Sequence, residues 1–475
     1  MHTRKWLPAL AVVGLATSAA AFGGIDFGLF RDHQLDAHSE QLFGVVSPVR
    51  ASSTKSIDAE SAAADPTKLV TLAKGLHARV VAAGPGVPPN IDMSALWPND
   101  YSPTHLISCN EEGTTQPGLV RIRLFDGFTE TIVTGTNSCD PVRRTAWGTI
   151  VFGEENGAAG WLSELMNPLA TTGVSFDNVA GTFSGGTGAG NLTVRPAVGR
   201  LSFEGLALYP NGVLYYGDEQ RPATGTPGGA YFKFIPSSPW AGGNITSLSQ
   251  SPLASGAIYG LRLGKRSPNG ANPGGTDYGQ GSNTGLGTWV PVVGTAPINL
   301  RAAAASLKLT GYYRPEDLEV DRDALANDHV RFCGNNTGNE ATDHNWGETI
   351  CVTDGTLAQA TANTATPELQ YLVLGNWDFA MMDNLAQQPG RGNWIIHEDG
   401  DAPEAFGRNN DLWSCTEDGD DADTLSDGCA RIGTLNDLTA EWTGGIFDGT
   451  GTHFYVSVQH NITGHGVVLD ITGWR

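Results

Sequence analysis

The stretch Tyr312-Tyr313-Arg314-Pro315-Glu316-Asp317-Leu318-Glu319-Val320 combines a guanidinium, a turn fixed by proline and two adjacent carboxylates on the way into a strand-like run. A carboxylate such as Glu316 can hold a hard cation, because such ions prefer oxygen ligands. The planar, permanently charged fork of Arg314 suits an oxyanion. Taken alone, these residues read as an ordinary surface ion pair. Their company changes that reading. Further candidate cation ligands stand beside short apolar runs at Glu154 and Glu155, at Glu204, at Asp218, and at Asp383 and Asn384. Clustered cations could neutralise an anionic ester, activate a water-derived nucleophile and support the leaving oxygen.

What positions these residues is a recurring unit. A cation-binding residue is followed by a short apolar strand, a turn with Gly, Asn or Asp, a second strand and another polar or acidic cluster. Residues 204–219, 316–336, 383–399 and 443–460 are full copies, and residues 105–112 and 147–156 are partial ones. Six units of this kind predict an all-β fold, a six-bladed propeller whose inner strands begin at one mouth. Acids at matching ends would then converge on one axis, where they would repel one another without cations. Residues 157–197 and 221–302, rich in Gly, Pro, Ser and Thr, are expected to be long loop insertions or added hairpins. The run 466–472 is expected to pair with an early strand at 76–81 and seal the ring, removing free sheet edges.

The remaining chain sets the address. Residues 1–21 have a basic start, a short apolar core and an Ala-x-Ala end, the pattern of a signal peptide cut before Phe22. Export to the periplasm or the extracellular space follows, and no later window is long enough to insert in a membrane. Residues 22–75 are expected to form an irregular N-terminal extension with one short helix over 65–75, where Asp65 can cap, Pro66 starts and Gly75 ends it. A single propeller domain would fill 76–475. Six cysteines in an exported chain suggest disulfides, and proximity pairs Cys109 with Cys139, Cys333 with Cys351, and Cys415 with Cys429. A net charge of −22 argues against nucleic acid or anionic membranes as partners and suits a protein that collects cations.

Several ordered blocks carry a family resemblance: Ala146-Trp147-Gly148-Thr149 through Glu154-Glu155, Gly199-Arg200 through Glu204-Gly205, and Tyr215-Tyr216-Gly217-Asp218. Arg314-Pro315-Glu316-Asp317-Leu318-Glu319, Asp383-Asn384-Leu385 and Phe454-Tyr455-Val456-Ser457-Val458-Gln459-His460 continue it. With these the chain resembles the PhoX-type secreted alkaline phosphatases, six-bladed propellers with a calcium and iron cluster at one mouth. The resemblance implies that Glu154, Glu204 and Glu316 bind metal, that Arg314 clamps phosphate and that the partner is a small-molecule phosphate ester. Members of that family carry an iron-binding cysteine immediately before the Glu-Glu pair, where this chain has Gly153. Calcium in an all-oxygen site is therefore the expected cofactor and iron the doubtful one. The expected activity is phosphoester hydrolysis by a monomer, with Arg314 and Glu316 at its centre. A calcium-dependent lactonase-like hydrolase and a non-catalytic propeller stapled by calcium are the competing readings. The Gly185–Gly190 run lacks the lysine of a phosphate loop, and the acidic loop around Asp418, Asp420, Asp421 and Asp423 lacks the spacing of an EF-hand.

Overall fold

The computed structural model describes residues 27–223, 226–264, 284–339, 345–400, 407–419 and 422–475. The expected signal peptide, Asp420 and Asp421 lie outside the described residues. Six inner strands, Ile91–Trp97, Cys139–Arg144, Phe203–Leu208, Pro315–Val320, Met382–Gln387 and Glu441–Phe447, pack side by side in that order. The sixth packs against the first, so the ring closes as a propeller. Each inner strand pairs antiparallel with the strand that follows it, and further strands add outward.

Alternating apolar residues on the two faces of each sheet meet those of the next. The result is a hydrophobic cluster at every junction around the ring. Between the second and third sheets, Phe203 stacks on Tyr216 at 5.7 Å and Tyr216 on Phe232 at 5.8 Å, all three fully buried. Burying one such ring stabilises the fold by about 1.5–3 kcal/mol. The three disulfides join the expected partners. Cys109–Cys139 ties the first sheet to the start of the second inner strand, directly beside Asp140.

The ring is sealed as expected: His77–Ala83 pairs antiparallel with Val467–Thr472. One other expectation is corrected, and that of added hairpins in the insertions is sharpened. Among its described residues the extension holds three α-helices, Phe27–Ala37, Ser39–Phe43 and Ala59–Ala64. Asp65 and Pro66 open only a 3-10 turn, Pro66–Leu69, after which Val70–Leu72 becomes an edge strand against Leu435–Gly433. The β-branched Val70 and Thr71 suit that edge better than a helix. The presumed insertions also supply blade strands. Leu162–Leu165 and Leu192–Val194 complete the second sheet, while Gly229–Pro236, Gly256–Leu263 and Gly285–Val292 extend the third. Their glycines and hydroxyl residues interrupt the alternation that marks a strand in sequence.

Candidate active site

The site grows from one repeated backbone irregularity. Each inner strand starts in register with its neighbour and then bulges, between Ile91 and Ser94, Cys139 and Val142, Phe203 and Leu206, Pro315 and Leu318, Met382 and Leu385, and Thr443 and Ile446. A bulge re-aims the side chain it carries. The residues that follow the last paired position are Asp92, Asp140, Glu204, Glu316, Asp383 and Gly444. Five of the six are therefore acids at one level of the channel.

Gly444 is forced by space. Its φ is +68°, and a Cβ there would lie 2.3 Å from the carbonyl oxygen of Asp92. The sixth ladder runs two residues further before its bulge, and its first residue, Glu441, supplies the carboxylate on that side. A second tier comes from the residues just after the returning strands: Glu111, Glu155, Glu219, Thr337, Asp399 and His460.

Two carboxylate triads result. Ligand atoms of Asp140, Glu155 and Glu204 lie within 4.8 Å of one another, and so do those of Glu204, Glu316 and Asp383. Glu204 belongs to both. Burial, then repulsion from neighbouring acids, pushes Asp92, Glu155, Glu204, Asp383 and Glu441 well above the usual carboxylate range. Burial raises Asp140 to about 7 and Glu316 to about 8, the latter against the pull of Arg314. Oδ1 of Asp92 and Oδ1 of Asp140 are buried with no hydrogen-bond partner among the described residues. Buried anions without donors are costly, and a hard cation is the partner their chemistry calls for. The donor set fits a metal of that kind.

Arg314 closes the second triad on one side. Its Nε donates to Glu219 Oε1 at 2.9 Å, and its Nη2 lies 3.2 Å from Glu316 Oε1 and 3.9 Å from Asp399 Oδ2. Burial disfavours its charge, but those three carboxylates outweigh it and hold the guanidinium protonated. Its backbone sits at φ +56°, an uncommon conformation for a residue with a side chain. Thr337 Oγ1 donates to the same oxygen, Glu316 Oε1, at 2.7 Å and helps to fix the carboxylate. Beneath the ring, Arg143 Nη2 meets Asp317 Oδ1 at 2.6 Å.

The structure thus gathers Arg314, Glu155, Glu204, Glu316 and Asp383. It places the other candidate ligands elsewhere. Glu154 accepts from the backbone N–H groups of Asn137 at 2.8 Å and Trp161 at 3.2 Å. Asp218 is held by both arms of Arg301, at 2.9 and 2.7 Å, and by Ser202 N–H. Asn384 Oδ1 accepts from Gly444 N–H at 2.5 Å. Trp147 is packing: fully buried, it donates from Nε1 to Glu164.

Sequence reasoning missed Asp92, Asp140 and Glu441, and it left Glu111 and Asp399 as acidic ends of repeat units with no assigned role, while Glu219 stood beside Asp218 as a possible calcium ligand. The two partial repeats contain only returning strands, so the acids of their inner strands fell outside them. Carrying the spacing from Glu204 to Asp218 back from Glu154 lands on Asp140. That signal was present.

Gly153 lies in the second sheet against the third. A Cβ there would fall 2.7 Å from Phe203 Cβ and 2.9 Å from Pro141 Cγ. All six cysteines are in disulfides. A thiolate-bound metal does not fit this site.

Comparison with known proteins agrees with this architecture. The fold is similar to that of Pseudomonas fluorescens PhoX, solved in complex with vanadate, a transition state analogue (TM-score 0.59, 16% identity, covering 89% of this chain and 98% of that one). Weaker likenesses include the PQQ-bound aldose sugar dehydrogenase of Streptomyces coelicolor (TM-score 0.41, 12% identity, 84% and 98% covered). A gluconolactonase of Xanthomonas campestris is another (TM-score 0.40, 11% identity, 88% and 94% covered). No curated protein sequence matches. Residues 191–461, more than half of the chain, match the sequence model of the family described as alkaline phosphatase PhoX, and the chain belongs to that family, an alkaline phosphatase-like phosphoric ester hydrolase.

Proposed function

We propose that the protein is an exported, monomeric phosphatase that hydrolyses small-molecule phosphate esters at a calcium-rich cluster in the propeller mouth. The observation that carries this is the pair of triads sharing Glu204, with Arg314 at the edge of the second. Asp140, Glu155, Glu204, Glu316 and Asp383 would hold the ions. Bound there, calcium would supply charge neutralisation for the ester and a more acidic bound water.

The chain's own residues do the rest. Arg314 presents a fork matched to two phosphate oxygens. Glu219, Glu316 and Asp399 keep that fork charged and aimed. Thr337 holds the orientation of Glu316, while Asp218 and Arg301 brace the strand end from which Glu219 projects. The oxygen-only donor set favours calcium over iron. Three disulfides accord with an exported protein, and among the described residues no helix is long and apolar enough to cross a membrane.

The test is release of nitrophenol from 4-nitrophenyl phosphate by the purified protein, with calcium or with chelator, beside elemental analysis. Activity should require calcium, and Glu204→Gln should abolish it by breaking both triads. Full turnover in chelator, or in Glu204→Gln, would refute the assignment. Calcium occupancy with no turnover on any phosphate ester would leave a stapled, non-catalytic propeller.

A further inference from the structure

Lys233 is fully buried, and so is the carboxylate it meets, Asp354. Lysines are almost never buried to that degree. This one stands on Gly229–Pro236 in the third blade, while Asp354 stands on Glu348–Thr356 in the fourth. Nζ lies 2.5 Å from Asp354 Oδ2, which also accepts from the Tyr215 hydroxyl at 2.6 Å. The rings of Tyr215 and Trp289 flank the ammonium, their centroids 5.7 and 5.6 Å away. Asp354 Oδ1 and Trp289 Nε1 are buried with no hydrogen-bond partner among the described residues. A charged pair in such a box, with one oxygen left unpaired, gains little as an ion pair alone. The phosphate chemistry at the mouth makes no use of it.

A third group completes the cluster. Lys233 Nζ also lies 3.3 Å from Oδ1 of Asn363, a half-buried residue 130 positions away in the sequence. Asn363 closes the helix Leu357–Ala362 from the left-handed region, at φ +52°. Glycine would serve that turn at least as well, so the turn alone does not call for a carboxamide. The helix is held in place at both ends. Thr356 and Gln359 form a capping box at its start, and Asn211 Nδ2, from the third blade, donates to Thr361 Oγ1 at 2.8 Å near its end. The carboxamide carbon is one bond from Oδ1, so amine and carbon are held within a bond length of reacting distance, about 3–3.5 Å. Burial lowers the pKa of Lys233 against the pull of Asp354, which favours the uncharged, nucleophilic amine.

We propose that Lys233 and Asn363 join in an intramolecular isopeptide bond, with Asp354 as the proton carrier, that staples the third blade to the fourth. Asp354 takes one proton from the ammonium, and the free amine adds to Asn363 Cγ. The Nζ–Cγ bond forms and the Cγ–Nδ2 bond breaks. A second Nζ proton reaches the leaving nitrogen by way of the carboxyl, so ammonia departs and Asp354 is left neutral. No oxidant or cofactor enters the balance, and half-buried Asn363 gives the ammonia a way out. A neutral amide and a neutral carboxylic acid replace a buried ion pair, which suits the apolar box. The bond stands apart from the phosphatase reading, since it needs neither metal nor ester.

The test is mass spectrometry of the purified, folded protein after reduction, beside Asn363→Gly, Lys233→Met and Asp354→Ala. The wild type should be lighter than its sequence by one ammonia, a loss that denaturant does not reverse. Trypsin should fail to cut after Lys233 and should release one branched peptide that joins it to Asn363. Asn363→Gly keeps the left-handed turn and should fold with its three disulfides, yet show the full mass and two linear peptides. Lys233→Met and Asp354→Ala should also stay unlinked. A succinimide at an asparagine loses the same mass, so ammonia loss without the branched peptide overturns the proposal. Full mass in the folded wild type, with both residues recovered in linear peptides, overturns it too. So does the loss of one water with Lys233 joined to Asp354 instead, and a linked Asp354→Ala would remove the carboxyl from the reaction.

Discussion

Arg314→Lys separates a fork from a point charge. In the wild type, Arg314 Nε binds Glu219 at 2.9 Å while Nη2 lies 3.2 Å from Glu316, and the side chain is only 18% exposed. One lysine nitrogen cannot occupy both positions, nor face two phosphate oxygens in one plane. Losing one charge-assisted hydrogen bond in a buried setting costs about 1.5–3 kcal/mol. That corresponds to a fall of roughly ten- to a hundred-fold in kcat/KM. Steady-state kinetics on an aryl phosphate reads it directly. Arg314→Gly is the companion, because the residue sits at φ +56°. Glycine removes about 1 kcal/mol of backbone strain while deleting the guanidinium. It should be inactive, the strain relief being offset by the carboxylates of Glu219, Glu316 and Asp399 left without their cation, and added guanidinium should restore part of the rate. Wild-type kcat/KM in Arg314→Lys would remove the fork from the mechanism. Restored activity in Arg314→Gly without guanidinium would do the same.

Installing a thiol at position 153 should not create an iron site. Gly153→Cys is expected to lower stability by about 1–3 kcal/mol through overpacking against Phe203 and Pro141, seen as a lower denaturation midpoint, with no gain in bound iron. Calcium-free protein should lose stability as pH rises. Burial lifts Asp140 from an ordinary 3.8 to about 7 and Glu316 from 4.5 to about 8. A carboxylate with a raised folded pKa contributes its full stability below about pH 4 and forfeits it as pH climbs through the folded value. The Tm in chelator should therefore fall between pH 5 and 8, and calcium should restore it most at the upper end. A chelated Tm that stays flat or rises over that window would show that the acid ring carries no such strain.

The sequence by itself determined the kind of fold, the closure and much of the site. Short strands with turns between acids implied a propeller, and the pairing of 466–472 with an early strand followed from the need to cover edges. The three disulfides followed from proximity in an exported chain, while Arg314, Glu155, Glu204, Glu316 and Asp383 were picked out by their place in the repeats together with the family resemblance. Tertiary structure decided which acid of each adjacent pair turns inward. Glu154 and Glu155 look equivalent in a linear reading, but strand residues alternate faces, so Glu154 stays in the sheet with backbone N–H groups while Glu155 reaches the channel. It also placed Asp92 and Asp140 on the ring, since a one-residue bulge aims a side chain in a way no local pattern reveals. Finally, it gave Gly153 its meaning. In sequence that residue is an absent thiol; in space it is the surface on which Phe203 and Pro141 pack. The chemistry at the mouth is left to oxygen ligands and to Arg314.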